Sequence, residues 1–368
     1  MKSHTEELLE LDPYSLSQKE KNVIFHNAMN ESIKFHYEKS DEFRKICDNR
    51  NFSPEKEFLV QDIPFLPVSL FKTFQLKSVP ESEIIKTVYS SATTSNSPST
   101  IFLDQITSKR QTKALVSIMK DFLINKKNFL IIDQKSDLSN SKEVKSRESA
   151  IRGFFPFMES VEFGLNSKLK LDISQFKKLS KKNYCIMGFT WLLYTIMLEN
   201  ENNNDVKDFF KNIENPIIIH IGGWKKLNDK KVNKEEFNQK VSEFFNCKKE
   251  NIIDIYGMTE QLGTIYPDCS EGNKHVSTYS EIFIRNTDTL EIEGIGVSGF
   301  IQLVSPIPQS YPGISLLSDD IGKIIGVDDC GCGRKGKYFR FEKRTEKADI
   351  KGCGDTIEYF INFKWKIS

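Results

Sequence analysis

Between residues 17 and 47, apolar side chains recur at near-helical intervals: Ile24, Ala28, Ile33, Tyr37, Phe43 and Ile46 stand among lysines and glutamates. That spacing makes one apolar stripe and one solvated face, so the segment is predicted to be amphipathic helix and to serve as scaffold. Ile63-Pro64-Phe65-Leu66-Pro67 interrupts it, because neither proline has a backbone N–H to donate, and a new layer is expected to begin there. Three later apolar or β-branched runs empty directly into small or polar residues: 85–89 into the hydroxyl-rich 90–95, 216–221 into Gly222-Gly223, and 252–256 into Gly257-Met258-Thr259-Glu260. Buried strands that end in this way build ligand sites at the carboxyl edge of an α/β sheet, so the three loops are expected to meet.

The uncharged run 185–198 (CIMGFTWLLYTIML) is shorter than the roughly 20 residues a membrane-crossing helix needs, and it is predicted to be one buried helix. Beyond Ser280 the pattern turns to alternation (EIFIRNTDTLEIEG, GFIQLVS, GISLLSDDIGKIIGV), which predicts antiparallel strands with one wet face. The chain thus divides into a helical region at 1–62, an α/β core with a β-rich subregion at 63–329, and a charged segment at 330–368. The last is too small for a core of its own and is expected to pack on the main body or move against it. Asn- and Lys-rich stretches at 177–183 and 199–205 are expected on the surface.

Composition narrows the function classes. In 368 residues, 38% apolar and 28% charged side chains are those of a folded globular protein rather than a disordered, collagen-like or disulfide-scaffold chain. A net charge of +1 leaves no global positive field for a nucleic acid. The N-terminus MKSHTEELLELDPY has acidic helix formers where an export signal needs an apolar stretch, so a cytoplasmic location is expected. Seven cysteines, sparse and uneven, leave core packing, metal binding or nucleophilic chemistry as their roles in a reducing compartment.

The segment 90–99, SSATTSNSPS, offers backbone N–H groups and hydroxyls to a polyphosphate without bulk, yet lacks the Walker A pattern. Alone it is also what a plain surface loop looks like. Tyr256-Gly257-Met258-Thr259-Glu260 sets a stacking ring, a turn-permitting glycine, a hydroxyl and a carboxylate within five residues, a set suited to adenine, an α-phosphate and Mg²⁺. Alone it could equally be a strand–turn–helix junction capped by Thr259.

Together and in this order, with Gly222-Gly223 between them and Ser318-Asp319-Asp320-Ile321-Gly322 after them, the segments resemble the adenylate-forming superfamily of acyl-CoA synthetases, firefly-type luciferases and peptide-synthetase adenylation domains. SSATTSNSPS is similar to its phosphate loop, YGMTE to its (Y/F)G-x-TE motif and SDDIG to its T-G-D-x-G motif. Within it, the LuxE type of acyl-protein synthetase is resembled through IPFLPVSLFK (63–72), IHIGGWKKL (219–227), YGMTEQLGTIYPDC (256–269), SYPGISLLSDDIG (310–322), CGCGR (330–334) and KADIKGCG (347–354), a likeness running from about residue 60 to about 358. The fold it implies is an adenylate-forming α/β domain of layered sheets with a β-rich subregion and a shortened C-terminal segment. Ser91, Thr93 and Thr94 would hold the β- and γ-phosphates of ATP, Gly222 and Gly223 would wall the adenine, and Tyr256 would stack on it, with Gly257 and Met258 in the same nucleotide-binding motif. Thr259 would meet the α-phosphate and the substrate carboxylate, Glu260 would hold Mg²⁺, Asp320 would bind the ribose and Arg344 would lie near ribose or phosphates at the hinge. Two departures stand out: Ala92 and Ser95 replace the loop glycines, and no lysine follows near Ser99. A non-glycine residue costs about 1 kcal/mol or more wherever φ must be positive, so the phosphate grip is expected to be weaker or the loop reshaped.

Cysteines supply two further constellations. Cys269, His275, Cys330 and Cys332 bring three thiols and one imidazole, a set suited to a closed tetrahedral Zn²⁺ site, and some phenylacetate-CoA ligases carry a similar arrangement. Three buried thiols and a surface histidine are the alternative. Cys353 lies between glycines that leave its sulfur open, with Arg344, Lys347 and Lys351 near enough in sequence to favour a thiolate. In the LuxE type a cysteine near the C-terminus takes the acyl group, which makes Cys353 the expected nucleophile. Full-length acyl-CoA synthetases carry about a hundred further residues as a separate small domain, so the acyl group is expected to pass to this chain's own thiol or to an acceptor on a partner. The function expected is ATP-dependent activation of a carboxylic acid, fatty by resemblance, as acyl-AMP, then transfer to Cys353 and on to an acyl-CoA-reductase-like or carrier protein. Its rivals are an adenylating ligase of capsule, O-antigen or lipid biosynthesis that acylates CoA, a carrier protein or a sugar amine, and a catalytically weak nucleotide-binding scaffold.

Overall fold

The computed structural model describes residues 2–90, 98–135, 142–176 and 183–345. Its N-terminal part is helical as the periodicity predicts. Helix Gln18–Lys39 is started by a reciprocal capping box between Ser17 and Glu20 and buries Phe25, Ala28, Met29, Ile33 and His36 along one face. Helix Asp41–Asn49 follows, with Ser40 as its N-cap, and buries Phe43, Ile46 and Cys47. These side chains share one core with Val304, Ile314 and Leu316 from the β-rich part of the chain.

That part is an antiparallel sheet in the order Lys274–His275, Lys337–Arg344, Ser315–Val327, Gly299–Val304, Glu281–Arg285, with Leu66–Pro67 added in parallel against Leu316 and Leu317. Antiparallel pairing meets the expectation, but the wet face does not: all six residues of Gly299–Val304 are buried. The sheet is covered on both sides. Val304 and Leu316 face the N-terminal helices, while Ile282, Ile284, Ile301, Leu303, Ile324 and Phe339 pack on Tyr256 and Tyr266. Gln302, a polar position in the alternation, is fully buried because it accepts from Arg285 Nε (2.6 Å) and donates to Ser315 Oγ (3.0 Å). The border expected at residue 330 falls in the turn joining Ser315–Val327 to Lys337–Arg344, two strands that pair from Asp320↔Arg344 to Val327↔Lys337.

A second, mostly parallel sheet runs Tyr266–Pro267, Ile252–Tyr256, Ile217–Ile221, Tyr184–Phe189, Lys127–Gln134, Met158–Leu165, with only the first strand antiparallel. Here the single helix expected over 185–198 is corrected: Tyr184–Phe189 is a central parallel strand and Thr190–Glu199 the helix after it. Both are buried nearly all round, so neither a period of 2 nor one of 3.6 shows in the sequence. Strands Ile217–Ile221 and Ile252–Tyr256 pair with Ile221 opposite Ile255, so the loops at Gly222 and Gly257 leave the same edge side by side. A third sheet, Thr100–Leu103, Lys86–Tyr89, Glu143–Lys145, carries the strand that leads into the 90–99 segment.

Candidate active site

The loops that follow strands Ile217–Ile221 and Ile252–Tyr256 and the paired strands Ser315–Val327 and Lys337–Arg344 border one cleft of about 3060 Å³. It is lined by Gly222, Gly223, Tyr256, Gly257, Met258, Thr259, Glu260, Asp320 and Arg344, together with Ser90 at the start of the hydroxyl-rich segment. Nine residues singled out from sequence thus converge from four separate stretches of chain. The segment's ends are tied together, since Ser90 N–H donates to Ser99 O (3.0 Å) and Ser99 N–H to Ser90 Oγ (2.8 Å). Ser91, Thr93, Thr94 and Cys353 lie outside the described residues.

Gly222 follows its strand with φ of +79°, which an L side chain adopts only under strain, and a Cβ on Gly223 would meet nothing within 4 Å. The cleft is therefore open at the place where a flat base would need close approach. The Thr190 hydroxyl donates to Gly222 O (2.6 Å), leaving its lone pair to accept from His220 Nδ1 (3.0 Å). Thr190 has no signal of its own in the sequence, because the strand–helix junction it occupies lies inside one continuous uncharged run.

Asp320 is almost fully buried and takes three bonds: Arg344 Nε to Oδ1 (2.7 Å), Arg344 Nη2 to Oδ2 (3.2 Å) and the Tyr256 hydroxyl to Oδ2 (2.9 Å). The paired guanidinium and carboxylate hold the Arg344 pKa above its usual range, while burial and then the Asp320 charge push the Tyr256 phenol well up. Phe341, unnoticed in the sequence, stacks on Tyr256 at 5.7 Å between ring centroids. The alternating KYFRFEKR could have revealed it, since Phe339 and Phe341 fall on one face of the strand. Glu260 is buried, and burial raises its carboxyl despite Ser99 and the charges of Lys72 and Arg344. A desolvated carboxylate of this kind gains from a nearby cation, and it fits the part of a Mg²⁺ ligand. Phe189, Trp191, Trp224 and Phe237 supply an aromatic wall to the same cleft.

The cysteine cluster assembles at the border of the cleft, which Cys269 also lines. One ligand atom from each of Cys269, His275, Cys330 and Cys332 lies within 4.8 Å of the others. Cys269 Sγ and Cys330 Sγ are 3.9 Å apart, and Cys332 Sγ is 3.2 Å from His275 Nε2. Zn–S bonds of about 2.3 Å at tetrahedral angles require S···S edges of about 3.8 Å. His275 is fully buried rather than on the surface, and burial, followed by the Arg334 charge, lowers its pKa to about 4, which keeps the imidazole neutral as a metal ligand must be. The turn Cys330-Gly331-Cys332-Gly333 closes through Gly333 N–H to Cys330 O (3.0 Å), with Gly333 at φ +85°.

The sequence model of the family described as "Acyl-protein synthetase, LuxE" matches residues 2–361. Two curated relatives, both described as long-chain-fatty-acid–luciferin-component ligase, come from Vibrio harveyi (25% identical over 352 residues, 93% of this chain and 89% of the relative) and Aliivibrio fischeri (26% over 349 residues, with the same coverage). Among solved structures, the open conformation of 2-hydroxyisobutyryl-CoA ligase with 2-HIB-AMP and CoA superposes with a TM-score of 0.70 at 14% identity, over 89% of this chain and 75% of that one. The same ligase in the thioesterification state gives 0.71 at 12%, over 91% and 70%. At such identities the likeness is one of fold, and it is the adenylate-forming fold expected from the motifs.

Proposed function

Since the chain belongs to the LuxE family of acyl-protein synthetases, we propose that it activates a long-chain fatty acid with Mg·ATP as acyl-AMP, then passes the acyl group through a thioester on Cys353 to a partner protein. The observation that carries this reading is the convergence of Gly222-Gly223, Tyr256–Glu260 and the Asp320–Arg344 pair on one cleft. Adenine fits between the bare edge at Gly223 and the Tyr256 ring, and the ribose hydroxyls fit the Asp320 carboxylate that Arg344 and Tyr256 hold in place. Thr259 and Glu260 close the same five-residue motif and line the cleft with the ring, where they would meet the α-phosphate and its cation. The aromatic wall of Phe189, Trp191 and Trp224 suits an alkyl chain, whose burial contributes about 0.8 kcal/mol per methylene.

In the first half-reaction the fatty carboxylate oxygen forms a bond to the α-phosphorus as the bond to pyrophosphate breaks. The protein contributes placement and charge neutralisation. In the second, the Cys353 thiolate attacks the acyl carbon and AMP leaves. The receiving partner is then an acyl-carrier or acyl-CoA-reductase-like protein able to take an acyl group from a thioester. In the same reading Cys269, His275, Cys330 and Cys332 hold a structural Zn²⁺ with no open position, since four protein ligands complete its tetrahedron.

Acid-stable labelling of the purified chain by a radioactive long-chain fatty acid with Mg·ATP tests the transfer step. The label should be released by neutral hydroxylamine and be absent from Cys353→Ser, which retains pyrophosphate exchange. A Cys353→Ser chain that labels as well as the parent contradicts the thioester assignment.

A further inference from the structure

Strand Leu66–Pro67 is fixed beside Leu316 and Leu317, and the pairing is extended by Val68 N–H donating to Leu317 O (3.0 Å). The short helix Leu70–Thr73 then leaves that strand, anchored by the buried side chains of Leu70 and Phe71. Its register turns Lys72 into the cleft, half-buried, where it lines the wall with Ser90 and Glu260. Arg344, Arg147 and Lys274 in the cleft are engaged by Asp320, by Asp133, and by Asp254 and Asp268, whereas Lys86, Lys231 and Lys343 also line it without an ion pair to a described residue. Lys72 forms no ion pair or hydrogen bond with any described residue, although its charge reaches Glu260.

A half-buried ammonium held in a cleft without a counter-ion is unfavourable in the empty protein and favourable once an anion arrives. The chain has no lysine near Ser99 in sequence, at the far end of the hydroxyl-rich segment; Ser90 and Ser99 close the neck of that segment, and Glu260 feels both Ser99 and the charge of Lys72. Resting on the adenylation reading above, we propose that Lys72 binds the outer phosphates of ATP and the pyrophosphate they become, supplying the cation that the segment itself lacks. A lysine serves this role as a compact point charge with three donors, which a triphosphate can meet with several oxygens. The inference makes Lys72 a substrate-binding residue that distinguishes ATP from AMP, because AMP lacks the groups it holds.

The test compares Mg·ATP and AMP binding by calorimetry for the parent, Lys72→Gln and Lys72→Arg, together with the fatty-acid and pyrophosphate KM values in exchange. Lys72→Gln should weaken Mg·ATP by about 10- to 100-fold and raise the pyrophosphate KM, while AMP stays within about twofold, as expected for one charge-assisted contact. Lys72→Arg should recover most of the loss. Equal weakening of ATP and AMP, no weakening of either, or a change confined to the fatty-acid KM would each overturn the proposal. If Lys72→Gln does not fold, Lys72→Met, which keeps the packing stem, is read by the same ligands. A parent chain that binds neither nucleotide sinks the adenylation reading itself, whereas a parent that binds ATP with an unaffected Lys72→Gln sinks only the lysine.

Discussion

Asp320 is the residue on which the nucleotide side of the cleft turns, because it joins Arg344 and Tyr256 while its strand runs past the pocket floor. Asp320→Asn replaces one acceptor by an amide donor facing a guanidinium, at a cost of about 1.5–3 kcal/mol for the lost charge-assisted bond. It is expected to weaken ATP and AMP alike by about 10- to 100-fold in a calorimetric titration, and unchanged affinity would contradict the ribose assignment. Tyr256→Phe keeps the ring and loses only the hydroxyl, so a smaller effect is expected. Glu260→Gln should lower adenylation by about 10²- to 10³-fold in steady-state exchange with little change in AMP binding, as for a group that acts on developing charge. Most of these residues could be read from the sequence, since a ring, a turn, a hydroxyl and a carboxylate within five positions leave few other uses. Thr190 and Lys72 could not, because each reaches the cleft by tertiary packing of a segment that has no local motif of its own, whereas Phe341 had a signal in the alternation of its strand.

Helices and strands that are far apart in sequence are fastened to one another by buried charge. Glu281, at the start of the sheet's edge strand, accepts from Gln18 Nε2 (2.6 Å) and pairs with Lys21 (3.4 Å) and Lys337 (3.1 Å), joining the long N-terminal helix to two strands of the antiparallel sheet. Burial alone would raise the Glu281 carboxyl, but the two ammonium groups outweigh it and hold it at about 2. Its folded pKa is thus below the ordinary 4.5, so its contribution to stability is present above pH 4.5 and is lost as pH falls towards 2. Glu281→Gln leaves Lys21 buried without a counter-charge and should cost about 3–5 kcal/mol in urea unfolding at neutral pH. It should also flatten the dependence of stability on pH in that acid window; a parent-like slope would contradict the linkage. At the same scale, the cysteine cluster fastens the 268–275 turn to the 328–336 turn, which the C-x-C spacing alone did not dictate. The purified protein should contain about one zinc per chain by mass spectrometry, and Cys330→Ser should lose the metal and lower the thermal midpoint. A metal-free parent with the same midpoint would contradict a structural zinc.

At the scale of the molecule, two large sheets are set so that strand ends, the Asp320–Arg344 pair and an aromatic wall all face one opening, while among the described residues no helix is long and apolar enough to cross a membrane. Strands that empty into loops were legible because each is a short continuous apolar run cut off by glycine or hydroxyl residues. The arrangement of the sheets was not, since Tyr184–Phe189 and its following helix are buried nearly all round and Gln302 conceals a second covered face by satisfying its amide internally. The central claim is that this opening is an adenylation site for a fatty acid. The direct test is exchange of labelled pyrophosphate into ATP by the parent chain with Mg²⁺, with and without a series of long-chain fatty acids. Exchange that requires both the acid and the metal is the predicted result; no exchange with any acid, at a protein concentration where ATP binding is measurable, would leave a nucleotide-binding protein that performs no activation.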